Sequence, residues 1–248
     1  MSRCGEIRLN AEGTPALSYD RREFAGKPWA DRVAVLGPDA AAVMLREMPG
    51  WTATTPATLA GQLIEGGARL VRASHRMTRD LSANRPPSEW ADLQPSPPLR
   101  PEPLDHPIED LLPAWRAAYP PEHPDYRPEY DETDGLYNRF RSILATPTFG
   151  SPSPLSAVIS DNGQVVAGLL VNLVEGPPPW GGPLITDLFR HPSHPGTGAV
   201  LLRRTLARAA ADGYPAIGLV VTDANPARRL YERHGFEIFD SPVTVRIP

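Results

Sequence analysis

One cysteine in 248 residues, Cys4, excludes an intrachain disulfide and any cysteine-rich metal site, and no metal is expected. Long apolar runs are missing too. No stretch approaches the roughly 18 residues that a membrane-crossing helix needs. The opening residues, MSRCGEIRLNAEG, lack the apolar core of a signal peptide, so the expectation is a cytoplasmic chain without membrane association. Nor is positive charge in excess: the formal net charge is −4, which argues against nucleic acid as a partner. With 41% hydrophobic and 22% charged residues the composition is that of an ordinary globular protein, long enough for one large domain or two small ones.

Proline is abundant instead, at 31 residues. Thirteen fall between Pro86 and Pro128. Each fixes φ and removes a backbone donor, so long helices and central strands are disfavoured there. The reading that follows is an N-terminal α/β extension over 1–81, a proline-rich linker over 82–98 and a larger domain over 99–248.

In the extension, RVAVLG (32–37) reads as a strand and PDAAAVMLREM (38–48) as a helix opened by proline. TPATLAGQLIEGG (55–67) reads as a second helix, stopped by Gly66-Gly67, and ARLVRASHRMTRDL (68–81) as a half-buried strand. Its Arg69, Arg72, Arg76 and Arg79 are taken as a solvated face, and His75 as a surface residue. Beyond the linker, HPIEDLLPAWRAAYP (106–120) spaces its apolar residues as a helix, shortened or kinked at Pro113. DGLYNRFRSILAT (134–146) is a second amphipathic helix. The loop between them carries Glu122, Asp125, Glu129, Asp131, Glu132 and Asp134. It is either a solvated loop or an anionic rim that attracts a cationic amine.

Two apolar runs joined by Asp161-Asn162-Gly163 form a hairpin over 155–174. A strand (183–190), a helix after Gly196-Thr197-Gly198, a buried strand (216–222), a short helix (225–235) and one or two closing strands follow. The order joins an antiparallel meander to a strand–helix–strand crossover, a mixed α/β sheet. The Gly-x-Gly turn alone is ambiguous between a phosphate pocket and a tight corner. It has neither the third glycine of a dinucleotide fingerprint nor the Gly-Lys-Ser/Thr of a P-loop.

Two stretches then resemble the GNAT superfamily, the GCN5-related acyl-CoA N-acyltransferases. ITDLFRHPSHPGTGAVLL looks like the family's fourth strand, pyrophosphate loop and third helix. AIGLVVTDANPARRLYERHGFEIF matches its N-x-x-A-x-x-L-Y-x-x-x-G-F pattern through Asn225, Ala227, Leu230, Tyr231, Gly235 and Phe236. The resemblance spans about 99–248 and implies the GNAT fold, with acetyl-CoA as co-substrate. Backbone N–H groups at Gly196, Thr197, Gly198 and Ala199 would cradle the coenzyme A pyrophosphate. The backbone of Leu188, Phe189 and Arg190 would pair with the pantetheine arm, and Asn225 would fix it from the other side or cap the helix behind it. Arg203 and Arg204 either reach the nucleotide phosphates or line a solvated face. His191 and His194 read as turn residues.

The resemblance also implies direct transfer of an acetyl group to a primary amine in a ternary complex. Tyr231 matches the family's general acid, or else packs on Phe236. For the base, Asp187 comes first and Glu175 second, with a water as the third choice. The acceptor is expected to be a small molecule, and a homodimer is left open. One departure stands out: Ser193 replaces the Gln or Arg usual three residues before the first glycine, in a loop about two residues short. A non-catalytic acyl-CoA-binding or interaction module that keeps the fold is the rival reading on that account. The helix–glycine–strand order of 55–81 suggests that the extension is a degenerate half-copy of the same fold, as in tandem members.

Overall fold

A computed structural model describes residues 5–24, 27–132, 134–145 and 149–248, so Cys4 lies outside the described residues. In chain order the elements are β1 (Glu6–Leu9), β2 (Pro15–Phe24), β3 (Lys27–Val35), α1 (Ala40–Glu47), β4 (Thr52–Thr55), α2 (Ala57–Glu65) and β5 (Arg69–Asp80). A 3-10 turn (Ser88–Asp92), β6 (Arg100–Pro103), α3 (Ile108–Ala118), a 3-10 turn (Pro128–Tyr130), α4 (Gly135–Ala145) and β7 (Ser151–Pro152) follow. Next come β8 (Ala157–Asp161), β9 (Gln164–Val174), β10 (Gly182–Arg190), α5 (Thr197–Ala211) and β11 (Ala216–Thr222). The chain closes with α6 (Arg228–Arg233), β12 (Glu237–Asp240) and β13 (Val243–Arg246). Among the described residues no helix is long and apolar enough to cross a membrane.

Two compact units result, Met1–Arg76 with Asp240–Pro248, and Met77–Phe239. This division differs from the boundaries read in the sequence in three places, the first being that residues 77–81 belong to the second unit and not to the extension. The last nine residues belong to the first unit, because β13 pairs antiparallel with β4 (Val245↔Ala53) and with β5 (Val243↔Ala73). Residues 82–98 belong to the second unit and are not a linker. Trp90 packs on the core beneath α5, and buried Arg204 donates to the Leu93 carbonyl at 2.6 Å.

The first unit is a sheet in the order β1-β2-β3-β4-β13-β5, closed over a core of Leu17, Tyr19, Met44, Met48, Leu59 and Leu63. Its β1–β2–β3 meander is antiparallel, and α1 then crosses over to a parallel β4. The second unit repeats that order within itself. The β8–β9–β10 meander is antiparallel, α5 crosses over to a parallel β11, and a helix and a strand follow. At this level of topology the element order of the first unit follows that of the second. In the first unit the crossover helix begins at Pro38-Asp39, with no glycine turn, and the Asp39 carboxylate accepts a 3.0 Å hydrogen bond from Asn10.

The second unit has three layers. The apolar run of β9 is buried on both faces, as a central strand covered by helices on each side requires. Val165 and Leu170 face α3 and α4, packing with Leu111, Trp115, Phe140 and Ile143. Val166, Leu169 and Val171 face α5, packing with Leu201, Leu202 and Leu206. Helix α3 runs through Pro113 without interruption, with Pro113 on its exposed side. Gly168 is required by close approach: a Cβ there would fall 2.5 Å from the Phe189 ring.

Of the arginines of β5, Arg69 is exposed as expected, while Arg76 and Arg79 are not part of a solvated face. Arg76 pairs with Asp31 at 3.2 Å and with Asp240 at 2.6 Å. Arg79 is buried, donating to the carbonyls of His234 (2.5 Å) and Asn84 (3.1 Å) with its guanidinium over the Trp90 ring. His234 lies against the same tryptophan. Its Nδ1 is 2.7 Å from the Leu230 carbonyl and its Nε2 accepts from Arg203 Nε at 3.1 Å, which the neutral Nδ1–H tautomer satisfies. Burial lowers its pKa; the Leu230 carbonyl opposes the shift, and the charges of Arg203, Arg79 and Arg233 deepen it. The unfolded chain therefore takes up a proton at a pH where the folded one does not. Stability should fall as pH drops below about 6.5. Urea titrations between about pH 7 and about pH 5.5 should show a smaller loss in His234→Gln than in the wild type. His123, also lowered by burial, adds a slope of the same sign.

Candidate active site

Strands β10 and β11 are joined only at Leu184↔Gly218 and Ile185↔Leu219. A bulge at Thr186 follows in β10, held by Thr186 Oγ1 on Asn172 Oδ1 (2.7 Å) and on the Leu170 carbonyl (3.3 Å). Beyond it the edge of β10 from Asp187 to Arg190 has no pairing with β11, so the two strands splay toward their C-terminal ends. Leu188, Phe189 and Arg190, named for a pantetheine arm, lie on this strand. The Phe189 side chain is core, and the Arg190 side chain curls onto the carbonyls of His191 (3.4 Å) and Pro192 (3.2 Å).

At the mouth of the splay stands the N-terminus of α5. Gly196 takes φ +86°, a left-handed conformation that residues with a Cβ rarely adopt, and this turns the chain into the helix. No described backbone carbonyl accepts from the N–H groups of Gly196, Thr197, Gly198 or Ala199. Unpartnered amides at the positive end of a 15-residue helix dipole make an anion cradle. The turn leading to it is built by its histidines. His191 Nδ1 accepts the Ser193 N–H (3.2 Å), the His194 carbonyl accepts from Thr197 Oγ1 (2.8 Å), and His194 Nε2 lies 3.2 Å from Asp161. Arg203 donates through Nε to His234 with its guanidinium over Trp90, and Arg204 is buried and donates to the Leu93 carbonyl, so Arg204 is not on a solvated face.

Inside the splay the structure gathers residues from three segments. Asp187 is enclosed. Its Oδ2 accepts from Arg139 (2.9 Å) and Trp115 Nε1 (3.1 Å), and its Oδ1 from the Tyr119 hydroxyl (3.1 Å). That hydroxyl is also 3.1 Å from the Leu188 carbonyl, so its one proton is shared between them. The Asp187 side chain is 1% exposed and its charge is balanced by Arg139. As it stands, an incoming amine does not reach it, which sets the geometry against its part as the base. Glu175 is placed no better: it is exposed past the end of β9, where Val174 pairs with Gly182, on the order of 20 Å along the strands from Leu188.

Tyr231, on α6, is 7% exposed and packs on Phe236 at 5.9 Å between ring centres. Its hydroxyl makes no hydrogen bond with any described residue. Burial, then the Asp187 and Asp125 charges, raise its pKa well above the usual tyrosine value, so it is protonated at neutral pH. Tyr119 is raised in the same way, chiefly by burial and then by Asp187. Asn225 caps α6, its Oδ1 accepting the Ala227 N–H at 2.8 Å, while its Nδ2 donates to Asp125 at 2.6 Å. Thr222, the last residue of β11, donates its hydroxyl to the other Asp125 oxygen. Spacing alone reached neither Tyr119, Arg139 and Trp115 nor the inward turn of Asp125, since their meeting with β10 and β11 depends on how α3 and α4 pack.

The family model described as the Acetyltransferase (GNAT) family matches residues 108–236, more than half of the chain. This chain belongs to the GNAT acetyltransferase family. Solved GNAT structures are similar over nearly its whole length. A GCN5-related N-acetyltransferase from Sphaerobacter thermophilus has 17% identity and a TM-score of 0.63, covering 97% of this chain and 79% of that one. A tandem GNAT protein from the clavulanic acid biosynthesis pathway has 16% identity and a TM-score of 0.57, covering 95% and 80%. A GCN5-related N-acetyltransferase from Kribbella flavida has 15% identity and a TM-score of 0.54, covering 99% and 90%. No curated protein matches the chain. The family match falls within the second unit, where the GNAT glycine turn and the Asn225–Tyr231 helix both lie.

Proposed function

We propose that this protein transfers an acetyl group from acetyl-CoA to a primary amine, both substrates being held together in one complex. The observation that carries this reading is the row of unpartnered amides at Gly196–Ala199, opening onto a splay that holds an unpartnered tyrosine hydroxyl. The amides fit a pyrophosphate, with Ser193 contributing no side chain to them, and the open edge of β10 fits an extended amide-bearing arm. Acetyl-CoA supplies the activated acyl group. The bond formed joins the amine nitrogen to the acetyl carbon, and the bond broken is the thioester C–S. Tyr231 donates its proton to the departing sulfur. The two carboxylates nearby disfavour a lasting tyrosinate, so the proton it gives up is replaced by one released from the attacking nitrogen. Asn225 serves from its capping position, and Arg139 and Trp115 hold Asp187, which in turn positions Tyr119.

The test is a titration with acetyl-CoA followed by calorimetry, and a screen of amines for acceptor-dependent thiol release. Saturable binding and release with at least one primary amine are expected; no binding at millimolar acetyl-CoA would sink the reading. Gly196→Ala isolates the cradle. A Cβ at 196 meets nothing within 4 Å, so its only cost is the left-handed backbone, about 1–2 kcal/mol. If the turn relaxes to escape that strain, acetyl-CoA affinity should fall by roughly tenfold while the Asp187 cluster, and hence the fold, stays intact.

A further inference from the structure

The acidic loop between α3 and α4 splits into two kinds of carboxylate. Glu122, Glu129, Asp131, Glu132 and Asp134 are exposed, the solvated face of such a loop. Asp125 is half-buried and turned inward, with Thr222 Oγ1 on one oxygen and Asn225 Nδ2 on the other. Both donors are neutral, and no cation pairs with Asp125 among the described residues. The contrast with Asp187 is direct, since that carboxylate has Arg139 to balance it. The other groups facing Asp125 do not neutralise it either. Tyr119 and Tyr231 are held protonated by burial, and His123, whose Nδ1 accepts the Asp125 N–H at 3.1 Å, has its pKa lowered by burial. A partly desolvated carboxylate without a counter-charge is costly unless a cation completes it. Beside it is Tyr231, more than nine-tenths buried, its hydroxyl unpartnered and close enough for Asp125 to act on its pKa.

We propose that Asp125 is the anchor for the acceptor, binding its primary amine as an ammonium ion in the β10–β11 splay, and that the acceptor is a cationic amine with no carboxylate next to the nitrogen. The proposal rests on the acetyltransferase reading above and deepens it. Each Asp125 oxygen keeps a lone pair after accepting from Thr222 or Asn225, so an ammonium N–H has somewhere to go without breaking either bond. Before attack the bound ammonium releases one proton to solvent to become the neutral nucleophile, and the second proton, lost as the amide forms, is the one that replaces the Tyr231 proton. The same charge, with the acidic loop around it, repels the carboxylate of an amino acid. That separates polyamines and amino sugars from amino acids.

Putrescine, glucosamine, glycine and glutamate are the probes, assayed by acetyl-CoA-dependent thiol release with the full chain. Putrescine or glucosamine should be acetylated, and glycine and glutamate should not. In Asp125→Asn the KM for the active amine should rise roughly 10- to 100-fold, the loss of one charge-assisted hydrogen bond, with kcat changed far less and acetyl-CoA affinity by calorimetry within about twofold. Asp125→Glu should recover part of the KM, which a merely structural role for the loop would not give. Thermal unfolding of both variants checks that the fold persists. An unchanged KM in Asp125→Asn overturns the proposal, as does preferential acetylation of glycine or glutamate. Wild-type protein that binds acetyl-CoA yet acetylates neither putrescine nor glucosamine overturns it while leaving the parent reading standing. Wild-type protein that does not bind acetyl-CoA removes both.

Discussion

Tyr231→Phe is expected to lower kcat by about 10²- to 10⁴-fold, the usual worth of a positioned proton donor. The substitution is a clean one for a physical reason. The ring contributes to the core with Phe236 and the α5 side chains, and phenylalanine keeps that packing. The hydroxyl has no hydrogen-bond partner to be orphaned by its removal. The melting temperature should therefore stay within a few degrees of wild type. Acetyl-CoA affinity should be preserved, because the cradle amides and the β10 edge are untouched. Steady-state kinetics with the best amine from the screen, set beside a melt of the same preparation, reads both quantities. A variant with wild-type kcat would take Tyr231 out of the chemistry and leave it a packing residue.

What the sequence disclosed follows from how local each feature is. The Asp161-Asn162-Gly163 hairpin, the turn into α5 at Gly196 and the α6 pattern are each written within a dozen residues, and all three are present, with Asn162 and Gly163 at positive φ as that turn requires. The strands β1, β2 and β4 were not legible. In β1 and β2 the alternation is masked by charged residues satisfied across strands, as in Arg32 on Asp20 and Tyr19 on Glu6 at 2.6 Å. The four-residue TATT of β4 has no apolar signal, and its place depends on β13, whose Thr244 lies 3.0 Å from Thr54 across 190 residues of chain. Long-range pairing of that kind has no local signature.

The same limit applies to the site. The glycine turn, Asn225 and Tyr231 were readable because one short motif carries them. Whether a charged residue is balanced was not readable, because it depends on what packs beside it. Arg79 and Arg204 look like solvated arginines by spacing, yet each is buried and donates to a backbone carbonyl. Asp187 and Asp125 are both carboxylates near Tyr231, and only the three-dimensional contacts tell the paired one from the unpaired one.

That pairing supplies the second large effect. Arg139→Met should destabilise the second unit by about 3–5 kcal/mol, the cost of leaving a buried charge without its partner. For a unit of this size the melting temperature should drop by roughly 6–20 °C. Methionine fills most of the volume over Trp115 and Tyr130, where the guanidinium lies 5.8 and 5.5 Å from the ring centres, so packing is largely kept and the loss is electrostatic. The reverse substitution should be milder. In Asp187→Asn the amide still accepts from Arg139, and the Arg139 side chain, 24% exposed against 1% for Asp187, can take up water for its remaining donors. Asymmetric exposure thus predicts an asymmetric pair of single variants. The double variant Arg139→Met/Asp187→Leu should regain much of the loss, because a buried ion pair replaced by apolar groups of similar shape is often near neutral. Chemical unfolding of the three variants completes the cycle. If Arg139→Met and Asp187→Asn prove equally mild, the carboxylate is hydrated in solution, and Asp187 becomes open to an incoming amine after all.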